Sequence, residues 1–173
     1  MSNVTNLRKL MNERPLLLVD VDGVISLFGF PPDERPPGRF ALVDGIGHFL
    51  SATAGDHLLE LATSYELVWC TGWEEKANDY LPGALGLPGP LPYLTFDQKP
   101  AGGRPHWKLD AIDAYAGDQR PLAWIDDAHD EESRAWARVR PGKTLLVDTE
   151  PPVGMTAEHV AELLSWADAV HAP

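Results

Sequence analysis

The chain is poor in cysteine, in basic residues and in long apolar runs, and each shortage removes a class of function. One cysteine, Cys70, in 173 residues cannot form an internal disulfide, so the disulfide-stapled secreted scaffolds are excluded. The six histidines show no paired ligand spacing, and with a single cysteine a zinc centre is not expected. Lys and Arg total 14 against 26 Asp and Glu, and the formal charge of -12 makes most of the surface repel nucleic acid phosphates and anionic membranes. Extended nucleic acid binding is therefore not expected. No apolar run reaches the roughly 20 residues of a membrane-spanning helix, and residues 1–13 lack the apolar centre of a signal peptide. The expected location is cytoplasmic. Solenoid repeats and low-complexity tails are also missing.

What is present is enough apolar material for a core: 44% of the residues, six Trp among them, and we expect one domain over residues 1–173. Residues 16–19, Leu-Leu-Leu-Val, form an apolar run without polar alternation, as expected of a strand covered on both faces of a parallel sheet. It ends in Asp20-Val21-Asp22-Gly23. If strand alternation continues, both carboxylates point to one side. Further strands are expected at 66–70, ending in Thr71-Gly72, at 122–125, ending in Asp126-Asp127, and at 144–147, ending in Asp148. Helical spacing occupies the intervals: Leu58, Leu61, Ala62 and Tyr65; residues 73–81; Leu109 and Ile112 in 107–116; Ala135, Trp136 and Val139 after Asp130; and Val160, Leu163, Leu164 and Ala167 after a capping Thr156. A short helix is also expected through Val4, Leu7, Leu10 and Met11.

Strands alternating with helices at this spacing give βαβ units with right-handed crossovers. The expected fold is α/β, a three-layer, doubly wound, mostly parallel, Rossmann-like sheet. The Pro-rich residues 31–38 read as a loop, and residues 39–43 as a returning strand in a small hairpin-like excursion over 24–48 beside the first strand. A short strand at 93–96 and a loose loop at 98–105 complete the pattern.

Ligands of such sheets bind at the carboxyl ends of the strands, so Asp20, Asp22, Thr71, Asp126 and Asp127 are expected at one edge. Four carboxylates in one crevice raise one another's pKa unless a cation neutralises them. Hard oxygen donors in that number suit Mg²⁺, which takes one or two carboxylates and keeps waters and phosphate oxygens. Beside Mg²⁺, Asp20 can attack a phosphoryl group, Asp22 can move the proton, and the Thr71 hydroxyl and Lys108 ammonium can hold the phosphoryl oxygens. Lys108 opens a helix, where a lysine opposes the helix dipole. Lys99 and Arg104 are alternative phosphate-binding bases.

The ordered set Asp20-Val21-Asp22-Gly23-Val24, Thr71 after Leu67-Val68-Trp69-Cys70, Lys108, and Asp126-Asp127 after Leu122-Ala123-Trp124-Ile125 resembles the haloacid dehalogenase (HAD) superfamily of phosphohydrolases. The resemblance implies Asp20 as nucleophile through an aspartyl-phosphate and Asp22 as acid/base. It also implies Mg²⁺ on the Asp20 carboxylate, the Asp22 backbone carbonyl and the Asp126-Asp127 motif, with Asp127 the direct ligand and Asp126 direct or water-mediated. Neither 24–65 nor 72–107 is long enough for a big lid, so no large cap domain is expected. Residues 68–73, Val-Trp-Cys-Thr-Gly-Trp, are reminiscent of small members associated with nucleic acid end repair. Substrate contacts are expected from Thr71, Gly72, Trp73 and Lys108, and the substrate is a phosphorylated small molecule, a nucleotide or a nucleic acid terminus.

A phospho-accepting receiver domain uses a similar residue set, but there the acid pair comes first and the accepting Asp later. A catalytically silent module of the same fold would have no use for Asp22. Read as plain structure, Asp126-Asp127 and Thr71 cap helices and Lys108 is a surface lysine. Trp69, Trp124 and Trp136 are expected in the core, Cys70 as a small buried hydrophobe, and His106 and His129 on the surface.

Overall fold

The computed structural model describes residues 14–96 and 107–171. The expected N-terminal helix up to residue 13, the loop at 98–105, Lys99, Arg104 and His106 lie outside the described residues.

A four-stranded parallel sheet carries the molecule, in the order β5 (Glu66–Trp69), β1 (Leu16–Val19), β6 (Leu122–Asp126), β7 (Thr144–Asp148). The unalternated run of β1 is explained by this central position. Leu17 and Val19 enter one apolar cluster, Leu16 and Leu18 the other, and all four are wholly buried.

The first cluster is closed by α1 (Ala54–Leu61), α2 (Ala77–Leu85) and α5 (Ala157–His171), through Leu58, Leu61, Leu81, Val160 and Leu163. The second is closed by α3 (Leu109–Ala116) through Leu109 and Ile112, with Trp136 of α4 (Glu131–Val139) packed against it. The fold is thus α/β in three layers, a Rossmann-like arrangement with a parallel central sheet. Trp69 and Trp124 are buried, as expected, whereas Trp136 is only partly covered and donates its indole N–H to Asp113 Oδ1 at 3.0 Å. No helix among the described residues is long and apolar enough to cross a membrane.

The register sets the site. Val19 lies opposite both Trp69 and Ile125, so β5 and β1 finish level while β6 runs one residue further, and Asp20 emerges beside Asp126.

Between β1 and α1 the chain forms a second, three-stranded antiparallel sheet, in the order β2 (Ser26–Leu27), β4 (Ile46–Ser51), β3 (Gly38–Val43). The returning strand is present, but its partner is β4, a strand not expected from the sequence, and not the first strand of the chain. Val43 pairs with Ile46 across a two-residue turn in which Asp44 and Gly45 have φ of 50° and 78°. Left-handed backbone at both positions is the turn that matches strand twist, and Asp-Gly is a preferred pair for it. The hairpin leans on α2: the Asp44 carboxylate accepts from Tyr80 Oη at 2.8 Å and pairs with Lys76, and Arg39 Nη2 donates to the Ala84 carbonyl at 2.6 Å.

Two other elements differ from expectation. The helix expected from residue 73 starts as a 3-10 turn over Glu74–Lys76 and becomes α-helical at Ala77. The strand expected at 93–96 reduces to a single bridge between Tyr93 and Trp69, because only Pro92 and Leu94 exchange backbone hydrogen bonds with Trp69.

Gly55 marks the closest approach of α1 and α2, since a Cβ there would lie 2.0 Å from the Leu85 carbonyl oxygen. Helix propensity alone favours Ala over Gly by about 1 kcal/mol. The clash outweighs that gain, and Gly55→Ala is expected to lower unfolding free energy by about 1–3 kcal/mol. Urea unfolding measures this, and an unchanged or raised midpoint would mean that the two helices separate freely.

Candidate active site

Asp20 follows β1 directly and is held by its own backbone N–H, which donates to the Ile125 carbonyl at 3.1 Å. Asp126 is the last residue of β6, Thr71 stands two residues past β5, and Lys108 precedes α3; all four side chains are buried. Lys108 is not a surface lysine. Its Nζ lies 3.0 Å from Asp20 Oδ1 and 2.6 Å from Asp126 Oδ2, so one ammonium joins two strand ends. Asp126 is further committed, accepting from Trp124 Nε1 at 3.1 Å and from the Ala128 N–H at 3.0 Å.

Asp127, half-buried beside this pair, completes a group of three in which carboxylate oxygens of Asp20, Asp126 and Asp127 lie within 4.8 Å of one another. Those hard oxygens suit a divalent cation. Gly23 makes the approach of Asp127 possible: its φ is +78°, and a Cβ there would stand 2.4 Å from Asp127 Oδ2. The Thr149 hydroxyl ties this turn down by donating to the Gly23 carbonyl at 2.8 Å.

Burial pushes the Asp20 carboxyl up, the Lys108 ammonium pulls it down and Asp126 pushes it up again, leaving its pKa raised to about 7. Burial opposes the Lys108 charge, but Asp20 and Asp126 more than offset that, and its pKa is raised. Asp127 is raised by partial burial and by the neighbouring Asp126. Three carboxylates gather here, with one ammonium paired to two of them, an imbalance that a bound cation would correct. Cys70, buried behind them, has its thiol pushed up by burial, which suits the expected small hydrophobe.

Asp22 sits differently. The strand stops at Val19, so alternation does not orient it, and its side chain is half exposed outside the three-carboxylate group. Its Oδ2 accepts from Trp73 Nε1 at 2.9 Å, while His48 Nδ1 stands 3.7 Å from Oδ1. Thr71 does not cap the helix that follows; its hydroxyl accepts from the Trp73 N–H at 3.3 Å within the turn. Gly72 and Trp73 continue that turn, both partly exposed, and Trp73 reaches Asp22.

The sequence reading did not identify His48. The Asp44-Gly45 turn was the available signal, since it sets the β3–β4 register that places His48 opposite Ala41. His129 departs from expectation, because its side chain is buried, with Nδ1 2.9 Å from Asp148 Oδ1, and Arg134 grips the same carboxylate. Asp130 caps α4 in a reciprocal arrangement with Ser133, so helix capping is done there and not by Asp126 or Asp127.

Lys108→Met leaves Asp20 and Asp126 facing each other in a buried site. The expected loss is about 3–5 kcal/mol of unfolding free energy at pH 7 without divalent ions. At pH 5, where Asp20 takes up a proton, the loss is expected to shrink. Denaturant titration at the two pH values checks both, and a negligible loss at pH 7 would show that the pair does not depend on this ammonium.

Residues 16–160 match the family described as HAD domain in Swiss Army Knife RNA repair proteins. No curated protein matches the chain. The family match runs from the first residue of β1 into α5 and takes in Asp20, Asp22, Thr71, Lys108, Asp126 and Asp127. The chain therefore belongs to the HAD superfamily, within the family of HAD domains found in Swiss Army Knife RNA repair proteins.

Proposed function

We propose that the chain is a Mg²⁺-dependent phosphatase that hydrolyses a phosphomonoester through a phosphorylated Asp20. The observation that carries this reading is the Lys108 ammonium between Asp20 and Asp126, with Asp127 within reach of both carboxylates. Asp20, Asp127, the Asp22 backbone carbonyl and, directly or through water, Asp126 would hold Mg²⁺. Bound there, the ion supplies charge that offsets repulsion between the carboxylates and an incoming phosphoryl group.

In the first step a carboxylate oxygen of Asp20 forms a bond to phosphorus as the bond to the ester oxygen breaks. Asp22 gives its proton to that departing oxygen. In the second step Asp22 takes a proton from water, the water oxygen bonds to phosphorus, and the bond to Asp20 breaks. Inorganic phosphate leaves and both aspartates are regenerated. Lys108, with an N–H beyond those pointed at the two carboxylates, and the Thr71 hydroxyl hold the phosphoryl oxygens as charge builds on them. Gly72 and Trp73 line the entrance next to Asp22, where the leaving group has to sit.

A phosphorylated nucleic acid terminus fits this reading among phosphorylated substrates, which also include nucleotides and small molecules. The family description points to RNA repair. The net charge of -12 disfavours a long nucleic acid track, but a terminus needs only its last phosphate in the site. A cytoplasmic location is part of the same reading.

The test is phosphate release from a panel that includes nucleotides and 5′- and 3′-phosphorylated oligonucleotides, with Mg²⁺ and with chelator. Turnover is expected with Mg²⁺ alone. Asp20→Asn is expected to lose roughly a thousandfold or more in kcat, and Asp22→Asn about a hundredfold to ten-thousandfold. Full activity of Asp20→Asn, or no release from any ester, would sink the reading.

Stability gives a second check. The folded pKa of Asp20 is raised from 3.8 to about 7, so its contribution to stability is complete below pH 3.8 and is lost as pH rises through about 7. Mg²⁺ competes with that proton. The ion is expected to raise the unfolding midpoint more at pH 8 than at pH 5, with a gain of about 2.7 kcal/mol at a hundredfold excess over Kd. Calorimetry measures it, and an equal gain at both pH values would place the ion elsewhere.

A further inference from the structure

We infer that Trp73 is a positioning residue for Asp22, supported by His48 from the antiparallel sheet; this rests on the phosphatase reading above. The Asp22 side chain is 52% exposed, and a carboxylate that free turns readily among rotamers. A group that passes a proton to a departing oxygen has to present one oxygen in one direction. The Trp73 indole supplies that constraint, donating from Nε1 to Asp22 Oδ2 at 2.9 Å. An indole N–H donates and cannot accept. Oδ2 is therefore kept as the acceptor, and Oδ1 is left as the oxygen that carries the proton.

The turn that bears Trp73 is built to hold it. The Glu74 N–H donates to the Thr71 carbonyl at 3.0 Å and the Trp73 N–H to the Thr71 hydroxyl at 3.3 Å. Glu74 itself has φ of 52°, a left-handed conformation that is strained for a non-glycine residue. Its carboxylate compensates by accepting from the Phe96 N–H at 2.9 Å.

On the other side the His48 ring meets the Trp73 ring edge-on at 4.7 Å and shares a 2.9 Å hydrogen bond with the Ser26 hydroxyl. The antiparallel sheet thus braces the indole, and Asp44 ties that sheet to Lys76 and Tyr80, just beyond the same turn. Thr71 on the phosphoryl side and Trp73 on the leaving-group side belong to one turn, so the distance between the two halves of the chemistry is set locally.

Leaving-group dependence separates this role from a structural one. In kcat/KM, which reports transfer of the phosphoryl group to Asp20, an alkyl ester needs the Asp22 proton and p-nitrophenyl phosphate does not. Trp73→Phe keeps the ring against His48 and removes the donor. For the best alkyl phosphate of the panel its kcat/KM is expected to fall about tenfold, and for p-nitrophenyl phosphate only about twofold. In an Asp22→Asn background the same substitution is expected to add no further loss. His48→Ala should shift the substrate ratio in the same direction by about threefold.

Equal losses on both esters, or a further tenfold loss in the Asp22→Asn background, would overturn the assignment while leaving the phosphatase reading intact. A wild-type protein that releases phosphate from neither ester would overturn the phosphatase reading and this assignment together. The substrate ratio, measured within one preparation, is insensitive to the fraction of variant that folds.

Discussion

The ion pair of Lys108 with Asp20 and Asp126 is the interaction on which the rest depends. Each of these groups would be costly to bury alone. Together they are tolerable only if three separate segments, the ends of β1 and β6 and the start of α3, bring their side chains within 3.0 Å of a shared ammonium. The parallel register meets that demand by setting Val19 opposite Ile125, so that Asp20 emerges beside Asp126. Trp124, one turn of pleat before Asp126, adds a second donor to the same carboxylate oxygen. The core and the site are therefore not separable: the strand that buries Trp124 also aims Asp126.

Asp127 and Gly23 extend the constraint outward. With Asp127 so close to Gly23, any side chain at position 23 would displace the third carboxylate of the group. The glycine is thus needed for space as well as for its left-handed turn. The antiparallel sheet, anchored by Asp44 to α2, then supplies the exposed side of the site, where His48 and Trp73 meet Asp22.

Much of this was legible in the residues. The central strand, the helices on alternate sides and the sequence of carboxylates at strand ends follow from apolar periodicity and from the rule that such sheets bind at their carboxyl edges. The dipole-opposing position of Lys108 was a usable signal as well, and its burial between two acids supplies the reason. What escaped was nonlocal. His48 becomes relevant only once the Asp44-Gly45 turn pairs β3 with β4, and the five residues 39–43 give no register by themselves. His129 was expected on the surface, yet it packs edge-on against Trp124 at 4.6 Å. Strand alternation suggested a reason for Asp22 that the short β1 does not supply; Trp73 supplies it instead.

The sequence by itself determined the α/β class, the order of the motifs and the acidic edge, because these depend on local periodicity and on residue type. Tertiary structure alone decided which carboxylates share Lys108, how near Asp127 comes to Gly23, and that Asp22 is held from two other elements. Those outcomes depend on distances between segments far apart in the chain, which strand register and close packing set and which no local pattern encodes.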